Sequence, residues 1–239
     1  MVDERYILRS GLLKYNIDPK DKMIDDFIKY MKLLIERNKL YNLTKITEPR
    51  EIVVEHFLDS LSALKLDIIK GEMKVIDVGT GAGFPGIPLK LVIPEIEITL
   101  IDASKKRINF VRHVIEMLEM EGATAIQERA EILGRDEKYR EKYDIIVSRA
   151  VAQIRVLCEY CLPLLNLSGV FLAYKGPGIK EEIKDSDNAV EILGGEIKGI
   201  ETLEVPYSNK THNIVIIKKI KETPKEYPRS AKKIKKSPL

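Results

Sequence analysis

The sequence predicts an α/β fold: a seven-stranded, mostly parallel sheet that ends in an antiparallel hairpin and follows an N-terminal helical extension. Three observations predict it. Residues 75–88, VIDVGTGAGFPGIP, are an apolar run that breaks into closely spaced glycines, the pattern of a strand delivering a tight turn. From residue 72 to 175, short and nearly continuous apolar runs alternate with helical periodicities, the pattern of a parallel sheet covered on both faces. Finally, residues 195–205 and 212–219 are two strand-like runs joined by PYSNKT, a linker too short for a parallel crossover.

The elements follow in order. Residues 1–70 read as helices: Ile24, Phe27, Ile28, Met31, Leu34 and Ile35 recur at spacings of three and four, and EIVVEHFLDSLSAL follows a polar break. Strands are expected at 73–78, 96–102, 123–127, 143–148 and 169–175, with Ser104 as N-cap of the helix after the second. The division is a helical extension over 1–70, an α/β body over 71–220 and a basic tail over 221–239.

The composition is that of a globular chain without an 18-residue apolar stretch, and MVDERYILRS lacks the pattern of a signal peptide; a cytoplasmic location is expected. Cys158 and Cys161 form a CxxC inside an apolar helical stretch, with no second Cys or His pair, so core packing is the better reading and no metal site is expected. The net charge of +3 is uneven: residues 221–239 carry seven basic and two acidic side chains, +5, leaving −2 for the rest. A basic tail on a near-neutral body suits a polyanion, most simply nucleic acid. On this reading, removing residues 229–239 weakens RNA binding and its salt dependence while cofactor binding persists.

The glycine turn admits two cofactors. Gly81, Gly83 and Gly86 have the GxGxxG spacing of a dinucleotide site; Asp77, Gly79, Gly81 and Gly83 have the DxGxGxG spacing of S-adenosylmethionine methyltransferases. Asp102, closing the second strand, suits the ribose hydroxyls of the adenosine that both cofactors contain. The terminal hairpin separates the two readings: five parallel strands closed by a hairpin is the Rossmann-like architecture of the methyltransferases. Glu131, after the third strand, and Arg149, after the fourth, lie at strand carboxyl ends, where ligands bind in open α/β sheets.

VIDVGTGAGFPGIPLK, RAEIL, DIIVSRAVA, FLAYKG and PKEYPRSAKKIKKSPL, with YNLT and HFLDS in the N-terminal part, together resemble the 16S rRNA guanine-N7 methyltransferases, also called glucose-inhibited division protein B. The resemblance implies S-adenosylmethionine as methyl donor and, as target, one guanine of the 16S rRNA 530 loop, guanine 527. It implies Gly79, Phe84, Ala130, Glu131 and Arg149 as cofactor contacts, beside Asp77, Gly81, Gly83 and Asp102. The substrate it implies is 16S rRNA or a precursor of the small ribosomal subunit, met by a monomer away from membranes. One departure is AKKIKK at 231–236, where the family usually carries a Gly-x-Pro.

Guanine N7 carries no proton at neutral pH, so no catalytic acid or base is expected; the protein must align the base and exclude water. Arg149 and Lys175 are candidates to hold the base, since Arg and Lys suit the guanine O6 edge. Asn42, His56, Asp59, Ser60, Lys175, Arg229, Lys232 and Lys233 are candidate RNA contacts. A NAD-dependent oxidoreductase, a methyltransferase acting on another RNA, a small molecule or a protein, and a non-catalytic RNA-binding module remain as alternatives.

Overall fold

The structure is a computed structural model that describes residues 3–210 and 212–239. Thr211, in the expected hairpin linker, and the first two residues of the chain lie outside the described residues. One seven-stranded sheet organises the chain, in the order β3-β2-β1-β4-β5-β7-β6. The strands are β1 (Lys74–Val78), β2 (Glu97–Asp102), β3 (Ala123–Gln127), β4 (Tyr143–Arg149), β5 (Leu165–Lys175), β6 (Gly195–Leu203) and β7 (His212–Lys219). Neighbours pair in parallel from β3 to β5; β7 is antiparallel to both β5 and β6, so it alone runs back. The chain order reverses between β1 and β4, and the carboxyl ends of these strands open together at that switch point.

The helices cover both faces. On one side lie α1 (Glu4–Leu13), α2 (Asp21–Tyr41), a helical run from Pro49 to Leu66, α5 (Gly86–Val92) and α6 (Lys105–Met117). The run comprises α3 (Pro49–Ile52), a π-helical turn (Val53–Leu58), α4 (Asp59–Leu61) and a 3-10 turn (Ser62–Leu66). On the other side lie α7 (Ala130–Leu133), α8 (Ile154–Cys161), α9 (Ile179–Lys184) and α10 (Asp187–Ile192), with α11 (Ala231–Lys236) against α8. The strand alternation explains the two cores: Val75, Ile98, Leu100 and Val147 face the first side, Ile76, Ile101 and Ile146 the second. Cys158 and Cys161 belong to the second core, where burial pushes both thiols up in pKa.

The helical extension shares the first core with the sheet. Ile24, Phe27, Met31 and Leu34 are buried as the periodicity predicts, and Tyr30, which the pattern does not single out, joins them. Its ring stacks near Phe57 at 5.4 Å and lies 5.5 Å from Phe84, and its hydroxyl donates to the carbonyl of Ala82 at 2.5 Å. One side chain of α2 thus holds the glycine turn of the sheet. Ser104 takes the N-cap position of α6, but its side chain makes no capping bond; Asp102 Oδ1 accepts from its backbone N–H at 2.8 Å instead.

The C-terminal segment is docked along its length. Arg140 donates to the carbonyls of Gly134, Thr223, Pro224 and Tyr227. Arg229 makes a two-pronged ion pair with Glu159 of α8, Nε–Oε1 2.8 Å and Nη2–Oε2 2.6 Å, and Glu159 is fully buried. Ile234, at the centre of α11, is buried too. Arg229 therefore anchors the tail to the protein and is not a free RNA contact, whereas Lys232 and Lys233 are exposed.

Replacing Tyr30 by Phe leaves the buried Ala82 carbonyl without its donor. Urea unfolding should show a loss of about 1–3 kcal/mol; an unchanged midpoint and slope would remove this bond from the account.

Candidate cofactor and base cavities

Two cavities open at the carboxyl ends of the parallel strands. The first, about 720 Å³, is bounded by the segments that follow β1, β2, β3 and β4. The second, about 580 Å³, lies between β4, β5, β7 and the helical extension. Both fall in the range of about 300–1,000 Å³ usual for small-molecule sites. They share Ala150. This residue has φ of 57°, a left-handed conformation that is strained for a residue with a Cβ.

The first cavity is built on the glycine turn. Asp77 lies fully buried beneath it; its Oδ2 accepts from Thr80 Oγ1 at 2.6 Å and from the Gly86 N–H at 2.9 Å. Its Oδ1 has no hydrogen-bond partner among the described residues. Burial pushes the carboxyl up to about 7, against the lowering effect of those two bonds. A Cβ on Gly86 would sit 2.8 Å from Asp77 Oδ2, so only glycine lets the start of α5 come this close to β1. Gly79 has φ of +75° and lines the cavity, and a Cβ there would meet Val151 at 2.5 Å.

Asp102 opens into the first cavity with 7 % of its surface exposed. The turn presets it: Gly81 N–H donates to Oδ2 at 3.1 Å, and Arg107 approaches the same oxygen at 3.2 Å. Ala130 and Glu131 form the wall after β3. Of the predicted cofactor residues, Gly79, Asp102, Ala130 and Glu131 therefore line one cavity. Asp77, Gly83 and Phe84 do not: they hold the wall from behind, and Gly81 orients Asp102. Phe84 turns toward the extension, where its ring stacks on His56 with centroids 4.4 Å apart.

Arg149 is expected in two roles, cofactor contact and base positioning, and these call for different cavities. Its side chain lines the second cavity and not the first. Its guanidinium donates to Asp59 Oδ2 at 2.6 Å and to the Glu55 carbonyl at 3.1 Å, and lies 5.1 Å from the centre of the Phe84 ring. Asp59 also holds His212, Nδ1–Oδ1 2.6 Å. Burial alone would raise the Asp59 carboxyl, but the bond from His212 and the charge of Arg149 outweigh it and hold it below its usual range. The same bond raises His212.

His56 behaves oppositely. Burial and the nearby Arg149 charge push it down to about 3. The neutral ring accepts from Arg149 at Nδ1 (3.2 Å) and donates from Nε2 to Thr44 Oγ1 (2.8 Å). Thr44, in the YNLT block, is held by Asn38 in turn. Asn42 caps α2 in a left-handed conformation, exposed and outside both cavities.

Ser60 lies elsewhere. Helical spacing groups it with His56 and Asp59, but the extension packs against the sheet at this point, and the Tyr174 hydroxyl of β5 donates to the Ser60 carbonyl at 2.6 Å. Ser60 is fully buried, donates to the His56 carbonyl and cannot meet RNA. Lys175 lines the second cavity, yet its ammonium is engaged by the Ala152 carbonyl at 2.5 Å and by Glu182 at 2.6 Å. Since Glu182 also accepts from the Ile154 N–H, Lys175 braces the 150–154 segment between the cavities. Sequence reasoning missed Glu55, Tyr174 and Asn213 in the second cavity and Tyr160, Lys235, Lys236 and Pro238 in the first.

The sheet order, the turn and the carboxylate of Asp102 define the chain as a methyltransferase of the S-adenosylmethionine-dependent class. Solved structures share this fold. A SAM-dependent methyltransferase from Aquifex aeolicus matches with TM-score 0.55 at 19% identity, over 75% of this chain and 97% of that one. TYW2 of M. jannaschii, in complex with AdoMet, matches with TM-score 0.52 at 16% identity, over 73% and 77%. The model of the GidB family, rRNA small subunit methyltransferase G, matches residues 23–222, and the chain belongs to that family. Ribosomal RNA small subunit methyltransferase G of Thermoanaerobacter sp. (strain X514) is 51% identical over 98% of this chain and 97% of its own. The namesake from Alkaliphilus oremlandii is 47% identical, over 98% of each.

Asp77 gives the turn a pH signature. Its folded value near 7 lies above the ordinary 3.8, so between about pH 4 and 7 the folded chain binds the extra proton. Unfolding free energy therefore falls as pH rises through that window, by at most about 1.4 kcal/mol per pH unit. In Asp77→Asn that decline should disappear; the wild-type slope in the variant's urea series would contradict it.

Proposed function

We propose that this protein transfers a methyl group from S-adenosylmethionine to N7 of a guanine in 16S rRNA, with the cofactor in the first cavity and the extruded base in the second. The meeting of the two cavities at Ala150 carries this reading. The first suits the cofactor: Asp102 is preset for the ribose hydroxyls, Gly79 leaves room for close approach of the backbone, and Ala130 and Glu131 bound the far wall. Bound there, S-adenosylmethionine supplies an electrophilic methyl group.

The second cavity suits a base. The Arg149 guanidinium and the His212 ring, both held by Asp59, are donors for the guanine O6 edge. Neutral His56 and Tyr174 give flat walls for a base taken from its stack. N7 has no proton to lose, so these residues orient, desolvate and exclude water, and none serves as a base. The extension, residues 1–70, supplies one wall of the base cavity, the body (71–220) supplies the rest, and exposed Lys232 and Lys233 of the tail (221–239) take RNA phosphates.

The target within the 530 loop, guanine 527, rests on the family resemblance. Action as a monomer in the cytoplasm is part of the same reading; among the described residues no helix is long and apolar enough to cross a membrane.

Tritiated methyl transfer onto 16S rRNA from cells lacking this activity, followed by nucleoside analysis, should yield 7-methylguanosine at one position. Label in any other nucleoside would overturn the assignment. In Arg149→Ala, single-turnover methylation should fall about 100-fold or more, with S-adenosylhomocysteine affinity changed much less. An affinity loss as large as the rate loss would return Arg149 to the cofactor site.

A further inference from the structure

Lys235, Lys236 and Pro238, from the extreme C-terminal segment, line the first cavity. They reach it because the tail is fastened just upstream. Arg229 clasps buried Glu159 of α8, Ile234 is buried, and the neighbouring face of α8 contributes Arg155, Val156 and Tyr160 to the same cavity. The segment that carries α11 also borders a separate recess of about 470 Å³, lined by Lys232 and Arg135, by Arg129 with its partner Glu131 at 3.7 Å, and by Arg229, whose charge Glu159 already meets. Arg129 and Glu131 belong to both cavities. One short segment thus presents Lys232 to a recess on one side and lines the first cavity on the other.

We propose that the C-terminal segment is a wall of the cofactor cavity that the RNA substrate presses shut. A backbone phosphate of the rRNA held in the cationic recess stabilises α11 in its docked position. That position keeps Lys235, Lys236 and Pro238 over the cofactor. RNA and cofactor then tighten each other's binding, because the coupling free energy between two sites is reciprocal. The inference rests on placing the cofactor in the first cavity. It replaces the sequence-based expectation that cofactor binding survives removal of the tail.

Calorimetry with S-adenosylhomocysteine tests it on the full chain and three variants. Removing residues 235–239 keeps Arg229, Glu159 and Ile234, so the tail stays fastened while its wall is lost; the dissociation constant should rise about fivefold or more. Wild-type affinity in this truncation would overturn the wall. Adding a 16S rRNA fragment should tighten S-adenosylhomocysteine binding to the wild type about fivefold or more. Lys232→Glu should bind S-adenosylhomocysteine like the wild type without RNA and lose the tightening with it. Tightening that survives in this variant would overturn the coupling. Asp102→Asn separates the premise from the inference. If it binds as the wild type does, the cofactor assignment of the cavity fails; if it binds weakly while the truncation binds normally, only the tail proposal fails.

Discussion

The buried carboxylate of Asp77 is the constraint on which the rest of the site depends. It accepts from the Thr80 hydroxyl and the Gly86 N–H and so ties the end of β1, the glycine turn and the start of α5 into one unit. Gly86 has no Cβ because Asp77 is there. The turn is shaped by that approach, and it directs the Gly81 N–H at Asp102. The cost of holding a carboxylate without water is visible in its raised pKa and in the orphaned Oδ1. A charged residue is thus a structural keystone at a place where the sequence suggests a ligand contact.

The second constraint is the separation of the two cavities. Ala150 is forced into a left-handed conformation and Val151 packs over Gly79, while Lys175 and Glu182 hold the segment that follows. Chemistry that joins two ligands needs their reacting atoms aligned but their bulk kept apart. On the proposed placement of cofactor and base, a braced, strained partition meets that need. The charges nearby serve the same end: Asp59 orients Arg149 and His212, and His56 stays neutral because it is buried beside a cation.

The sheet was legible in the sequence because its strands obey local rules. β3 and β7 begin and end where their apolar runs do, and the hairpin follows from linker length alone. The places of Gly79 and Asp102 in the first cavity were legible for a similar reason: each sits next to a strand end, where an open α/β sheet leaves a crevice. Which cavity Arg149 faces was not legible, since the partner that turns it, Asp59, lies 90 residues away. The burial of Ser60 was not legible because the side chain that covers it, Tyr174, comes from β5, 114 residues away. The tail read as a charged, solvated run because its composition is visible, whereas the buried Glu159 that receives Arg229 is one acid among many in the sequence.

The second cavity is assembled from parts of the chain far apart in sequence. Lys210 reaches Glu55 at 2.7 Å across 155 residues of sequence, and His212 reaches Asp59. The first cavity takes its lining from Val78 through to Pro238. Synthesis runs from the N-terminus, so the parallel strands can pair while the chain is still growing, but the second cavity lacks a wall until β7 has emerged and the first lacks one until α11 has. A product that stopped before β7 would therefore keep five parallel strands while lacking the pieces that close its two cavities.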